Sequence, residues 1–314
     1  MNVFVCRTIF QAYYADIIIK RKELSDIIFI YLADGFSERE RSVLSCLSVT
    51  CHIVDGASQF SRLWSQLKTL LFLRKKIKKY NGKKNIYFAS IDDLFIQTIL
   101  SCFHFDGIYT FDDGTANYVD KSIFYVPEVM PKTIKLKYRL MGNRIKDIQE
   151  VKSIIDIHFS SNHLPNILEE TEYLPLIDVN AWNSGNFEWR PLINIYLCPH
   201  FDEVYCEADI VRQNFLSMLS AQDIVIPHPR DKFLWKENEH YTLLGDVLAE
   251  KKISELLIQG YRVNLFGIAN STQYHFIDVD LVKNNVLVLG KLKEKYCNAI
   301  QKQIDLFKIL AKLE

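Results

Sequence analysis

The chain has no long apolar run: none of its 314 residues falls in a stretch near the roughly 20 apolar residues that span a bilayer. No charged segment followed by an apolar one opens the chain, which argues against a signal peptide, and Asn2-Val3-Phe4-Val5-Cys6 runs straight into a strand pattern. There is no excess of either charge, since Lys+Arg and Asp+Glu number 38 each, so no global field draws the protein to nucleic acid. RRM and helix-turn-helix signatures are also missing, and nucleic acid is not an expected partner. The seven cysteines (Cys6, Cys46, Cys51, Cys102, Cys198, Cys206, Cys297) are odd in number and never spaced CxxC. They read as reduced thiols of a cytosolic protein rather than a disulfide or zinc framework. The histidines outside the motifs below (His52, His104, His158, His163, His200, His240, His275) show no zinc spacing such as HExxH. Neither a Walker loop nor GxGxxG is present, which removes the ordinary nucleotide fingerprints, and no internal repeat appears.

What is present is an alternation of short β-branched or aromatic runs with longer segments of helical period. Strands are predicted over residues 2–6, 26–32, 85–89, 106–111, 193–198, 223–226, 262–266 and 284–289. Helices are predicted over 9–22, 57–80, 91–103, 204–220, 244–259 and 291–313. The last of these carries Ile300, Ile304, Phe307, Leu310 and Ala311 on one face. This βαβα order predicts parallel sheets covered by helices, with ligands beyond the carboxyl ends of strands. The polar, turn-rich stretch near 177–192 predicts a boundary, with one domain over 1–180 and a second over 190–314.

Two motifs occupy strand ends. Tyr109-Thr110-Phe111-Asp112-Asp113-Gly114-Thr115-Ala116-Asn117 puts adjacent carboxylates on a glycine turn. A carboxylate there can serve as a general base, and two adjacent acids raise each other's pKa. A surface turn with one Asp as a cap is the competing explanation. Ile226-Pro227-His228-Pro229-Arg230 puts an imidazole between two prolines, which fix φ on either side and stiffen the loop. Such a histidine can protonate or hydrogen-bond a departing phosphate, with Arg230 adding positive charge; a rigid loop around a partly buried histidine is the alternative. Gly267, Asn270, Ser271 and Thr272 follow another strand and can offer amides and hydroxyls to a phosphate, although a turn explains them equally well. Asp202 and Glu203 follow the first strand of the second half, where acids also suit a helix N-terminus. Asp278-Val279-Asp280 looks like a DxD metal site, but the alternation of 276–282 explains it. Two basic stretches stand out: Arg74–Lys79 with Lys83 and Lys84, and Lys132, Lys135, Lys137, Arg139, Arg144 and Lys146. Either can attract anionic lipid or form a solvated helix face. Trp182, Trp189 and Tyr205 can stack on sugars or fill core.

These residues resemble glycosyltransferase family 52, the bacterial lipooligosaccharide sialyltransferases. The resemblance rests on Asp112-Asp113-Gly114 and Pro227-His228-Pro229-Arg230 in this order. Phe4-Val5-Cys6-Arg7-Thr8-Ile9-Phe10-Gln11, Ile86-Tyr87-Phe88-Ala89-Ser90 and Tyr173-Leu174-Pro175-Leu176 extend it to roughly residues 2–290. It implies a GT-B-like fold, two Rossmann-type domains facing a central cleft, with the acceptor on the N-terminal side and the nucleotide sugar on the C-terminal side. It implies CMP-sialic acid as donor, inversion at the anomeric carbon, no cofactor and no metal. The acceptor would be a terminal sugar, galactose foremost, of a lipooligosaccharide or capsule. His228 would assist departure of the CMP phosphate, with Pro229, Arg230, Gly267, Asn270, Ser271 and Thr272 around it. For the base, Asp113 comes first, with Asp112 beside it; Asp202, or Glu203, is the second placement. Some relatives carry an N-terminal membrane anchor that this sequence lacks, so a cytoplasmic protein touching the anionic inner membrane surface peripherally is expected, and a homodimer is compatible with this reading. A family-52-like enzyme using another nucleotide sugar, and a non-catalytic glycan-binding or assembly protein, are the alternatives.

Overall fold

The computed structural model describes every residue except 57, 120–121, 127–129, 178–189, 232, 237–238 and 313–314. The predicted boundary, with Trp182 and Trp189, lies largely outside the described residues. The chain divides into two compact units, Met1–Leu174 and Pro175–Glu314.

The first unit runs β1 (Asn2–Cys6), α1 (Ile9–Arg21), β2 (Ile27–Leu32), α2 (Glu38–Ser45), β3 (Cys51–Val54), α3 (Gln59–Lys79), β4 (Asn85–Phe88), α4 (Leu94–Cys102), β5 (Gly107–Phe111), α5 (Lys132–Leu140), α6 (Ile148–Ser153), β6 (Ile157–Ser160) and β7 (Thr171–Tyr173). Its strands form one parallel sheet in the order β3-β2-β1-β4-β5-β6-β7. Alternation along each strand sends side chains to opposite faces. On one face Val3, Val5, Ile30, Ile86 and Phe88 pack with Leu73 of α3, with Phe95, Ile96 and Ile99 of α4 and with Val151 of α6. On the other, a ladder of rings crosses five strands: Phe29, Phe4, Tyr87, Tyr109 and Phe159, with successive centroids 6.1, 4.4, 4.8 and 6.1 Å apart. Each such pair adds about 0.5–1.5 kcal/mol beyond its buried area. Tyr14 of α1 covers the end of this face, edge-on to Phe111 at 6.0 Å.

The second unit runs β8 (Leu192–Leu197), α7 (Phe201–Val204), α8 (Ala208–Ser217), β9 (Ile224–Ile226), β10 (Thr242–Leu243), α9 (Ala249–Ile258), β11 (Arg262–Gly267), α10 (Ser271–His275), β12 (Val282–Val286) and α11 (Glu294–Leu310). Its parallel sheet has the order β10-β9-β8-β11-β12, the strand order of a Rossmann sheet without its sixth strand. Tyr196 of β8 stacks on Phe266 of β11 at 4.6 Å. The predicted apolar face of α11 buries Ile304 and Phe307, and the Phe307 ring meets Tyr274 edge-on at 4.9 Å. Tyr205 is core, its hydroxyl accepting from Leu289 N at 3.2 Å.

The interior strands fall where the apolar runs predict them. β3, β6, β7 and β10, and the short helices α2, α5, α6, α7 and α10, were not predicted. The alternating stretch 276–282 is no strand: five of its first six residues make turns, and β12 begins at Val282.

Candidate active site

In each sheet the crossover direction reverses beside the first strand, at β1/β4 in one unit and β8/β11 in the other, which is where such folds bind ligands. In the first unit three strand-to-helix connections meet there. Thr8 caps α1 by accepting from Gln11 N at 3.1 Å. Gln11 Oε1 accepts from Arg7 N at 2.6 Å, which turns its Nε2 toward Ser90 Oγ, 3.0 Å away, and toward Asp113. Ser90, just beyond β4, donates to the other Asp113 oxygen at 3.1 Å. Asp113 follows β5, and its own amide is held by Asn117 Oδ1 at 2.8 Å. Gly114 makes the turn at φ 129°, ψ −148°, a region that excludes side chains.

The two acids of the motif have different surroundings. Asp112 is fully buried. Its carboxylate accepts from Tyr118 Oη (2.6 Å), Ser161 N (2.7 Å), Ser161 Oγ (2.9 Å), Ser160 Oγ (3.1 Å) and Asn166 Nδ2 (2.9 Å), and pairs with buried His158 at 3.0 Å. Such saturation marks an anchor for the loop. Asp113 is only partly buried and keeps neutral partners. Burial pushes its carboxyl above the usual range; hydrogen bonds from Gln11 and Ser90 and the charge of Arg7 pull it back. The repulsion between adjacent acids, expected from the sequence, is the smallest of these causes.

In the second unit His228 follows β9. Its Nδ1 accepts from Arg230 N at 3.1 Å, so the neutral ring carries its proton on Nε2. Burial, then Arg230 and His200, hold this imidazole below the usual histidine range. It is therefore a neutral donor through Nε2. His200, after β8, meets His228 edge-on at 5.9 Å, and its own Nδ1 accepts from Glu203 N at 3.2 Å. Sequence reasoning missed His200, although Pro199-His200 repeats the Pro-His dipeptide at the next strand end. Glu203 accepts from Tyr296 Oη at 2.7 Å, which with the charge of Arg230 holds its carboxyl below the usual range, and its pairing with Arg230 at 3.3 Å ties the two loops together.

Other predicted residues lie as follows. Asp202 pairs at 2.8 Å with Arg212, whose guanidinium is buried over Phe201 and Phe233 and also holds Asp209 at 2.8 Å. Gly267 allows a close approach: a Cβ there would lie 2.6 Å from Asn270 Nδ2 and from Gln273 Oε1. Asn270 caps α10 reciprocally with Gln273, which also binds the Ala269 amide at 2.9 Å. Thr272 is buried, with its hydroxyl committed to Glu250 at 2.6 Å; Ser271, half-buried, opens the helix. Pro229 is exposed beside His228. Among the described residues no group of three His, Cys, Asp or Glu side chains could hold a metal ion. Asp278 and Asp280 sit on the turn before β12.

The chain is similar to curated sialyltransferases. It is 27% identical over 237 residues to the CMP-N-acetylneuraminate:beta-galactoside alpha-2,3-sialyltransferase of Pasteurella multocida (strain Pm70), covering 74% of each chain. It is 24% identical over 248 residues to the N-acetyllactosaminide alpha-2,3-sialyltransferase of Neisseria meningitidis serogroup A, covering 74% of this chain and 64% of that enzyme. Among solved structures, a sialyltransferase from Photobacterium damsela shares the fold, with a TM-score of 0.50, 9% identity, and coverage of 100% of this chain and 80% of that one. The sequence pattern of Glycosyltransferase family 52 matches residues 45–289. With its two parallel-sheet α/β units, the chain belongs to glycosyltransferase family 52.

Proposed function

We propose that the protein is an inverting sialyltransferase that moves sialic acid from CMP-sialic acid to a terminal galactose of a bacterial surface glycan. The observation that carries this reading is the Asp113 half-site and the His228 half-site, each at the carboxyl ends of strands next to the switch point of its own sheet, in a family with a relative named for moving sialic acid from this donor to a β-galactoside. The acceptor hydroxyl oxygen attacks the anomeric carbon of the sialyl group. Its proton passes to Asp113, and the bond from the anomeric carbon to the phosphate oxygen breaks with its electron pair going to CMP. The charge that grows on the phosphate is met by His228 Nε2–H and by Arg230, groups already oriented before reaction. Asp113 suits the base because desolvation raises its proton affinity while neutral donors hold it in place. Asp202 suits it less, because protonation would cost its pairing with buried Arg212. Ser271 remains the hydroxyl offered to phosphate.

A cytoplasmic enzyme working at the inner membrane surface fits two helices of the first unit. No helix among the described residues is long and apolar enough to cross a membrane. α3 exposes Phe60, Trp64 and Leu71 and ends in lysines, and α5 buries none of its residues.

The test is CMP release from CMP-sialic acid with lactose, with and without EDTA, alongside UDP- and GDP-sugars. An EDTA-resistant sialyl-lactose product is expected, and His228→Ala should lower turnover about 10²–10³-fold with the melting temperature unchanged. Turnover of a UDP-hexose alone would move the protein to another donor class.

A further inference from the structure

A cavity of about 350 Å³ opens in the first unit beyond the carboxyl ends of β1–β4, within the size range of small-molecule sites (about 300–1,000 Å³). Its polar lining comes from Arg7, Asp34, Arg62, Gln66, Asp92, Asp93 and Tyr138, and Leu32, Val54 and Ile134 give it apolar walls. Both arginines are already paired, Arg7 with Asp93 at 3.3 Å and Arg62 with Asp34. Two guanidinium groups among three carboxylates leave no surplus positive charge to recruit an anion. Gln66 is 6% exposed; its Nε2 donates to Tyr138 Oη at 3.2 Å. Among the described residues its Oε1 has no hydrogen-bond partner. A buried acceptor left unpaired is destabilising, and a donor supplied by a ligand removes that cost. Arg7 of the cavity wall donates its backbone N–H to Gln11 Oε1 at 2.6 Å, and Gln11 Nε2 donates to Asp113, so the cavity adjoins the proposed base.

We propose that this cavity is the subsite for the second, non-reacting sugar of the acceptor, a neutral unit one of whose hydroxyls donates to Gln66 Oε1. The paired arginines and carboxylates offer matched donors and acceptors, which suits hydroxyls because each both gives and takes a hydrogen bond. The apolar walls suit the C–H face of a pyranose. The inference rests on the reading of the first unit as the acceptor side.

The experiment measures lactose binding by ligand-observed NMR on the wild type, Gln66→Leu and Arg62→Ala, with CMP binding and melting temperature as controls. The lactose dissociation constant should rise at least tenfold in both variants while CMP affinity holds, and KM for lactose should rise without a matching change in KM for CMP-sialic acid. Lactose carrying a phosphate on its glucose unit should bind the wild type at least tenfold more weakly than lactose. Unchanged lactose binding in the variants, no lactose binding by the wild type, or tighter binding of the phosphorylated sugar overturns the subsite. Lactose binding lost in both variants, with no sialyl transfer by the wild type, upholds the subsite and sinks the donor reading.

Discussion

Asp112 and Asp113 are chain neighbours with opposite tasks. Asp112 gathers donors from β6 and the loop after it, so its replacement acts on folding. Asp112→Asn sets an amide against those donors and should cost about 3–5 kcal/mol, as breaking a buried pair does, seen as a large fall in melting temperature. Asp113→Asn keeps the shape and should leave melting nearly unchanged while kcat falls about 10²–10⁴-fold. Equal losses of kcat in Asp113→Asn and Asp202→Asn, both folded, would speak against Asp113 as the base. Asp92 supplies a pH effect. Burial, then repulsion from Asp113 and Asp93, pushes its carboxyl up to about 6, against Arg7. A folded-state pKa above the unfolded value means that its contribution is fully present below about pH 4 and lost as pH rises through 6. Asp92→Asn should therefore raise stability by about 1–2 kcal/mol at pH 7.5, after allowing for solvent screening, and by almost nothing at pH 4. Thermal melts at the two pH values decide it. The Asp-Asp-Gly and Pro-His-Pro motifs could be read in the sequence because Gly and Pro punctuate strand ends. The division of labour could not, since the groups that pin Asp113 lie 102 and 23 positions away.

At the scale of elements, α3 and α5 touch, since Gln66 of α3 bonds Tyr138 of α5. Their exposed apolar side chains, Phe60, Trp64, Leu71, Leu136 and Leu140, are interleaved with lysines. That composition matches an anionic lipid surface, to which each well-placed lysine adds about 1 kcal/mol. Sedimentation with phosphatidylserine-containing vesicles at physiological salt should pull down the wild type. Glu in place of Lys75, Lys76, Lys78 and Lys79 should release it, and unchanged partition would sink the proposal. Strong helical period and long apolar strands made the interior elements legible. The missed strands span only two to four residues. They hold their place by pairing with a formed neighbour, which short-range pattern cannot report.

At the scale of the molecule, both sheets are parallel throughout, so every strand-to-strand step within them is a crossover rather than a hairpin. This follows from the βαβα alternation and explains why the two motifs lie at ends of the same kind, the carboxyl ends of parallel strands, on the side where such folds bind ligands. The division between Leu174 and Pro175 comes just before the polar, turn-rich stretch near 177–192. The strands at the rims are short: β3 has four residues, β7 three and β10 two, while β12 carries Lys283 and two asparagines across its middle. A strand from another chain would find few rungs to climb at these borders. Their brevity guards a protein rich in sticky, ring-bearing strands against fibrous self-association.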